Sequence, residues 1–298
     1  MKLRANIFLF ATACIWGSAF VAQSIGMEHI GPFTFTGVRI LVAAITLAPV
    51  ILFFSRKGSP SANAAGDRKT LCTGGICCGA ALFFVLAFQQ AGLQYTTAGK
   101  AAFITSLYII VVPVLGLFFK RKPEKIVWFC ILIAFAGVYL LCIKEGLRLN
   151  KGDFMMFFSA FFCAVHILII DHFSPKVNCI KMSQMQFFVC AILSLIPAFL
   201  FEAPDMRSIL ISWKPILYAG AFSAGLGYTL QVIAQKDTTP AVTALILSFE
   251  SVFAALSGLI VLKEIMTIRE ITGCALMFSA IILAQTPDMP GLNKLKRK

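Results

Sequence analysis

Glu250 stands near the middle of the run Thr238 to Glu264, TTPAVTALILSFESVFAALSGLIVLKE, whose apolar length suffices to cross a bilayer core as one helix. A carboxyl group at that depth costs about 2.5–3.5 kcal/mol even on a lenient insertion scale, so it calls for a function or a partner. Three roles fit it: a proton site, a counter-charge to a cationic group of a bound solute, or a structural partner of Arg39 or Lys100. Tyr108 offers an aromatic face and a hydroxyl, and Thr105 lies one helical turn before it on the same face. Trp16, at the middle of the first apolar run, suits stacking on a solute. His166 is a second candidate for moving protons. Gln89 and Gln231 suit hydrogen bonding, either to a solute or between helices. Arg39, nearer the end of its run, suits a headgroup or an acid as partner.

The elements that must hold these residues repeat. Thr96 to Lys122, TTAGKAAFITSLYIIVVPVLGLFFKRK, has the layout of Thr238 to Glu264 shifted by 142 positions. Thr96 and Thr97 match Thr238 and Thr239, Ser106 matches Ser248, Gly116 matches Gly258, and Tyr108 falls opposite Glu250. Gln89 and Gln231 are mates under the same shift. A chain that copies itself is read as a repeat first.

The 298 residues are 59% hydrophobic and 13% charged, against roughly 25% charged in a soluble domain. That pattern predicts an integral membrane protein. The net charge of +13 gathers in short breaks between apolar runs, as membrane topology requires, so nucleic acid is not expected as a partner. The ten cysteines read as small apolar packing residues, and Cys72, Cys77 and Cys78 lack zinc spacing. Neither a metal nor another cofactor is expected.

Ten spans follow: 7–25, 33–54, 71–91, 98–119, 126–143, 154–170, 182–201, 216–234, 241–262 and 271–286. Pro113 predicts a bend in the fourth, and the spacing of Gly75 and Gly79 predicts a close helix contact in the third. With the N-terminus inside, the cytoplasmic segments hold about twice as many lysines and arginines as the outer ones, so both termini are expected in the cytoplasm. Residues 1–146 and 150–287 then form two five-span halves, followed by a basic tail at 288–298. Five is odd, so the halves enter the membrane in opposite senses. The fold class expected is therefore an all-α membrane protein of ten helices in two inverted repeats, the architecture of secondary transporters.

The segments CIWGSAFVAQSIG at 14–26, GPFTFTGVR at 31–39, LYIIVVPVLGLFFKRK at 107–122 and ESVFAALSGLIVLKE at 250–264 resemble the drug/metabolite transporter superfamily, specifically its EamA-type ten-helix carriers. The likeness covers nearly the whole chain. Ser251 stands where that family often has proline. The resemblance implies a multi-pass inner-membrane exporter, or importer, of amino acids, related metabolites or amphiphilic drugs. It also implies proton coupling or exchange as the drive.

Rival classes leave weaker traces. An intramembrane enzyme needs a nucleophile with its base or a metal motif such as HExxH, and an ATP-driven pump needs a P-loop; neither pattern is present. A channel or a structural polytopic protein has no sequence feature that separates it from a carrier. The expected partners are a small solute and the lipid bilayer, with the protein a monomer or homodimer.

Overall fold

The structure is a computed structural model, and it describes residues 2–56, 68–96, 98–119, 123–142, 150–261 and 267–285. Residues 144–149 of the expected linker and the basic tail at 288–298 lie outside the described residues. Among those described, every regular element is a helix. The first half holds α1 (Lys2–Gly26), α2 (Pro32–Arg56), α3 (Arg68–Leu93), α4 (Ala98–Thr105), α5 (Tyr108–Phe118) and α6 (Lys125–Cys142). The second holds α7 (Lys151–Phe173), α8 (Cys179–Pro197), α9 (Met206–Ile211), α10 (Trp213–Leu217), α11 (Thr229–Gln235), α12 (Pro240–Leu247), α13 (Glu250–Val261) and α14 (Ile268–Gln285). A π-helical turn, Ala198–Glu202, extends α8, and a longer π-helix, Tyr218–Tyr228, joins α10 to α11.

Eight helical stretches are long and apolar enough to cross a membrane, and Lys125–Leu140 is a shorter apolar helix. Their outer faces carry large apolar side chains such as Ile45, Leu132 and Ile192, each about 60% exposed. Water disfavours such a surface and lipid accepts it. Three helix starts are satisfied by neighbouring side chains. Asn150 and Asp153 form a reciprocal capping box on α7, Asn178 caps α8, and Thr267 with Glu270 does the same for α14.

Packing follows the small residues. A β-carbon on Gly79 would lie 2.7 Å from Gln186 O, and one on Gly75 2.6 Å from Met185 Cγ, so this pair seats α3 directly on α8. Gly137 brings α6 within 2.8 Å of Gly273 O on α14 by the same measure, and Gly220 brings the long π-helix within 2.6 Å of Arg39 O on α2.

The fourth and ninth apolar runs are each interrupted, between α4 and α5 and between α12 and α13. At the first interruption Leu107 N bonds to Ile104 O, Ile109 N to Ser106 O, and Ile110 N to Leu107 O, three residues back instead of four. Phe249, Ser251 and Val252 repeat those bonds to Ile246, Ser248 and Phe249. Pro113 is not the cause, because it lies inside α5 and its counterpart in α13 is Ala255. What the two sites share is a serine. Ser248 Oγ donates to Leu245 O at 2.8 Å, a side-chain bond that competes with the helical ladder, while Ser106 Oγ meets Ser251 Oγ at 2.7 Å. In the fourth run this tightened turn at Ser106–Leu107 falls just before Pro113.

Candidate functional site

The interruptions set Tyr108 and Glu250 at the first positions of α5 and α13. Their side chains meet in the interior, where Tyr108 Oη donates to Glu250 Oε1 at 3.3 Å. That is long for an O–H···O bond. Both residues are buried, at 1% and 4% exposed. Ser106 and Ser251 join the two elements beside them, so Ser251 makes a cross-half contact that proline could not.

Gly17 brings α1 against this junction. A β-carbon there would fall 2.5 Å from Glu250 O and 2.7 Å from Ala254 N. Trp16 is thereby held at the same depth. Its Nε1 donates to Ser223 O at 3.0 Å, and its ring lies 4.5 Å from that of Tyr228. Both acceptors used by α1 come from the long π-helix, because Thr12 Oγ1 also donates to Gly227 O at 3.2 Å. Helices widened in this way recur at functional sites.

Around this junction runs a narrow cavity. Trp16, Gln89, Thr105, Tyr108 and Glu250 contribute to its wall, and so does Arg39. Thr105 Oγ1 also faces Met156 Sδ at 3.6 Å. Arg39 is 3% exposed and lies over the Phe35 ring at 5.2 Å from its centroid. It forms part of an interior wall, so the headgroup contact considered for it is not made. Its Nε and Nη2 have no hydrogen-bond partner among the described residues. The side chain of Lys100, the other cationic partner considered for Glu250, lies outside the described residues.

His166 and Gln231 do not line this cavity, contrary to their grouping with the other site residues. Each makes a side-chain hydrogen bond elsewhere, though Gln231 Oε1 has no partner among the described residues. His166, 1% exposed, lies 3.0 Å from Gln186 Oε1. Gln231 Nε2 donates to Gln235 Oε1, and Gln235 Nε2 donates to Ile167 O, both at 3.0 Å. These groups form a buried polar cluster on α7, α8 and α11 beside the Tyr228 ring, which lies 5.9 Å from that of His166 between centroids and roughly perpendicular to it.

Besides the apolar Phe20, Val85 and Leu86, four wall residues that carry polar or thiol groups were not foreseen: Gln23, Cys163, Ser223 and Tyr228. Gln23 had a legible signal, since Trp16, Phe20 and Gln23 stand at i, i+4 and i+7 on one helix face. Tyr228 had a weaker one, as one of the two tyrosines, with Tyr218, that bound a glycine-rich run. Ser223 had none, because a π-helix shifts the facing of every residue after it.

Comparison with known proteins decides the family. The profile of the EamA-like transporter family matches residues 3–143 and again 150–286. The chain belongs to the EamA-like transporter family. It is 33% identical over 283 residues to an uncharacterized transporter of Archaeoglobus fulgidus, covering 95% of this chain and 86% of that one. It is 31% identical over 140 residues to the uncharacterized inner membrane transporter YedA of Escherichia coli, covering 45% of this chain and 42% of that one. A solved crystal structure superposes with a TM-score of 0.79 over 96% of this chain and 98% of the other at 16% identity, a likeness of fold. This EamA-like transporter is a multi-pass protein of the cell inner membrane, and the cavity at Tyr108 and Glu250 is its candidate solute site.

Proposed function

We propose that this transporter is a secondary carrier that moves small metabolites such as amino acids, or amphiphilic drugs, across the inner membrane by alternating access. Export is the preferred direction. In this reading the chain crosses ten times, residues 1–146 and 150–287 form inverted five-helix repeats, and both termini and the tail at 288–298 are cytoplasmic. The observation that carries it is the pair of interruptions 142 positions apart that bring Tyr108 and Glu250 together at one cavity. Discontinuous helices meeting between inverted repeats are where secondary carriers hold solute.

The unequal surroundings of two repeat mates support the same reading. Gln89 lines the cavity, whereas Gln231 is bonded to Gln235 in the buried cluster. In alternating access the two exchange environments, so Gln231 and His166 meet the solute when the opposite end opens. Trp16, Thr105, Tyr108 and Glu250 serve both states, and Glu250 couples transport to protons.

The test is flux of an amino-acid and drug panel in proteoliposomes, with and without an imposed pH gradient, for wild type and Glu250→Gln. The expected result is saturable flux that follows the gradient, with the variant losing gradient response and keeping counterflow. Unsaturable flux without counterflow indicates a pore and overturns the carrier reading. A gradient response retained in the variant removes Glu250 from coupling and turns attention to His166.

A further inference from the structure

We infer that Arg39 is the anion-binding group of the cavity and that the solute carried by this protein bears a carboxylate. This deepens the carrier reading and rests on it. A guanidinium cannot shed its charge, and a buried cation without a counter-charge is strongly disfavoured in a protein interior, more so within a bilayer. Arg39 is 97% removed from solvent, at 3% exposed. The face of Phe35, one turn earlier on α2, lies over the guanidinium, and a ring face compensates a cation only in part.

The two nitrogens left without acceptors among the described residues are Nε and Nη2. Together they form one edge of the planar guanidinium, the edge whose parallel N–H bonds match the two oxygens of a carboxylate. The protein's own carboxyl in the same wall does not occupy that edge. Glu250 instead accepts from Tyr108. Gln23 adds a second unmatched atom, since its buried Oε1 also lacks a partner among the described residues. It is an acceptor, so it repels the carboxylate itself and takes a donor group from the same solute. A wall with a free bidentate donor edge and a free acceptor is completed by a small carboxylate that also carries an N–H or O–H group.

The test pairs carboxylates with their primary amides in the full-length protein. Phenylacetate and phenylacetamide, and L-leucine and L-leucinamide, are compared as stabilisers of the purified transporter against heat and as inhibitors or substrates of proteoliposome flux. Wild type, Arg39→Gln and Arg39→Lys are measured together. In wild type the acid of at least one pair is expected to bind about thirtyfold or more tightly than its amide, and Arg39→Gln is expected to abolish that ratio. Arg39→Lys, which keeps the charge and loses the fork, is expected to preserve a reduced preference. A purely structural role for Arg39 would weaken acid and amide alike and leave their ratio unchanged, which overturns the inference. So does the absence of any acid-specific stabilisation in wild type, whatever the flux. Saturable flux of amides or cations with no acid preference overturns the inference and leaves the carrier reading standing, whereas flux that never saturates overturns the carrier reading.

Discussion

Tyr108 and Glu250 stand 142 positions apart in the chain, and their polar atoms lie 3.3 Å apart. Each is also the first residue after an interrupted helix with the same bonding pattern. A duplicated element has thus acquired a tyrosine in one copy and a glutamate in the other at equivalent positions, and the two copies face each other. The backbone supplies the symmetry and the side chains break it.

That contact is measurable as a coupling. Tyr108→Phe removes the donor and Glu250→Met removes the acceptor while keeping the bulk, and each is expected to destabilise the detergent-solubilised protein by about 0.5–1.5 kcal/mol. The double variant should lose less than the sum, because both changes break one bond. Thermal unfolding of the four proteins gives the coupling directly. Additivity within about 0.3 kcal/mol would mean that the two side chains act independently.

Much of this junction was legible beforehand. Glu250 drew attention because a carboxyl at that depth needs a reason, and the shift of 142 positions paired it with Tyr108 with no structural information. Gly75 and Gly79 pointed correctly to a close contact, though spacing did not say that α8 was the partner. Other features escaped for identifiable reasons. Pro113 was the obvious helix breaker, yet the same departure from α geometry recurs in the ninth run, where Ala255 stands in place of the proline. Arg39 read as a cation for a headgroup or an acid, because its place along the apolar run gives depth and not facing. The π-helix 218–228 was invisible as such, since a run of small residues signals close packing without its bonding register. Facing is what separates Gln89 in the cavity from its mate Gln231 in the buried cluster.

The seating of α1 on α13 depends on the absence of a side chain at residue 17. In Gly17→Ala the new β-carbon would overlap Glu250 O, Phe253 Cβ and Ala254 N at 2.5–2.7 Å. Two of the three are backbone atoms, so the helices must part. A loss of about 1–3 kcal/mol in stability is expected, with transport falling further because Trp16 is displaced from Ser223. Ser24→Ala, an exposed change on the same helix, is the control that should leave both readouts in place. Wild-type stability in Gly17→Ala would show that α1 does not pack this closely in the membrane.

The buried cluster is expected to control which end of the protein opens. Gln235 is 2% exposed and holds Gln231 with one amide atom and Ile167 O with the other. Gln235→Leu keeps the bulk and removes both bonds. At about 0.6 kcal/mol for an interhelical bond in a membrane, loss of the one bond from Gln235 to Ile167 O on α7 corresponds to roughly a threefold shift in the balance between the two openings. Hydrogen exchange should rise at 229–235 and fall around Gln89. A uniform rise at both ends would mean general loosening and not a shift between states.

Glu202 ties the two halves together at the start of α2. Its Oε1 accepts from Phe33 N at 2.8 Å, and its Oε2 accepts from Thr34 N and Thr34 Oγ1, both at 2.7 Å. The first backbone N–H groups of any helix lack internal partners, and a carboxylate there also opposes the positive end of the helix dipole. Here the cap comes from 168 residues away in sequence, so it fastens one half to the other as well as closing a helix. The carboxylate reaches that position from the end of a π-helical turn followed by Ala203 in the left-handed region, at φ 47°. Such a backbone costs of order 1 kcal/mol and persists only where the surroundings enforce it. Glu202→Ala removes all three bonds and is expected to cost about 1–2 kcal/mol. Glu202→Gln keeps one good acceptor but turns an amide N–H toward a donor, so it should fall close to the alanine variant instead of near wild type. Hydrogen exchange at Phe33 and Thr34 is the local readout, and it should rise about tenfold in both variants while α14 is unchanged. If exchange at those two amides stays at the wild-type rate, Glu202 does not cap α2 in the bilayer, and the halves are joined at that end by packing alone.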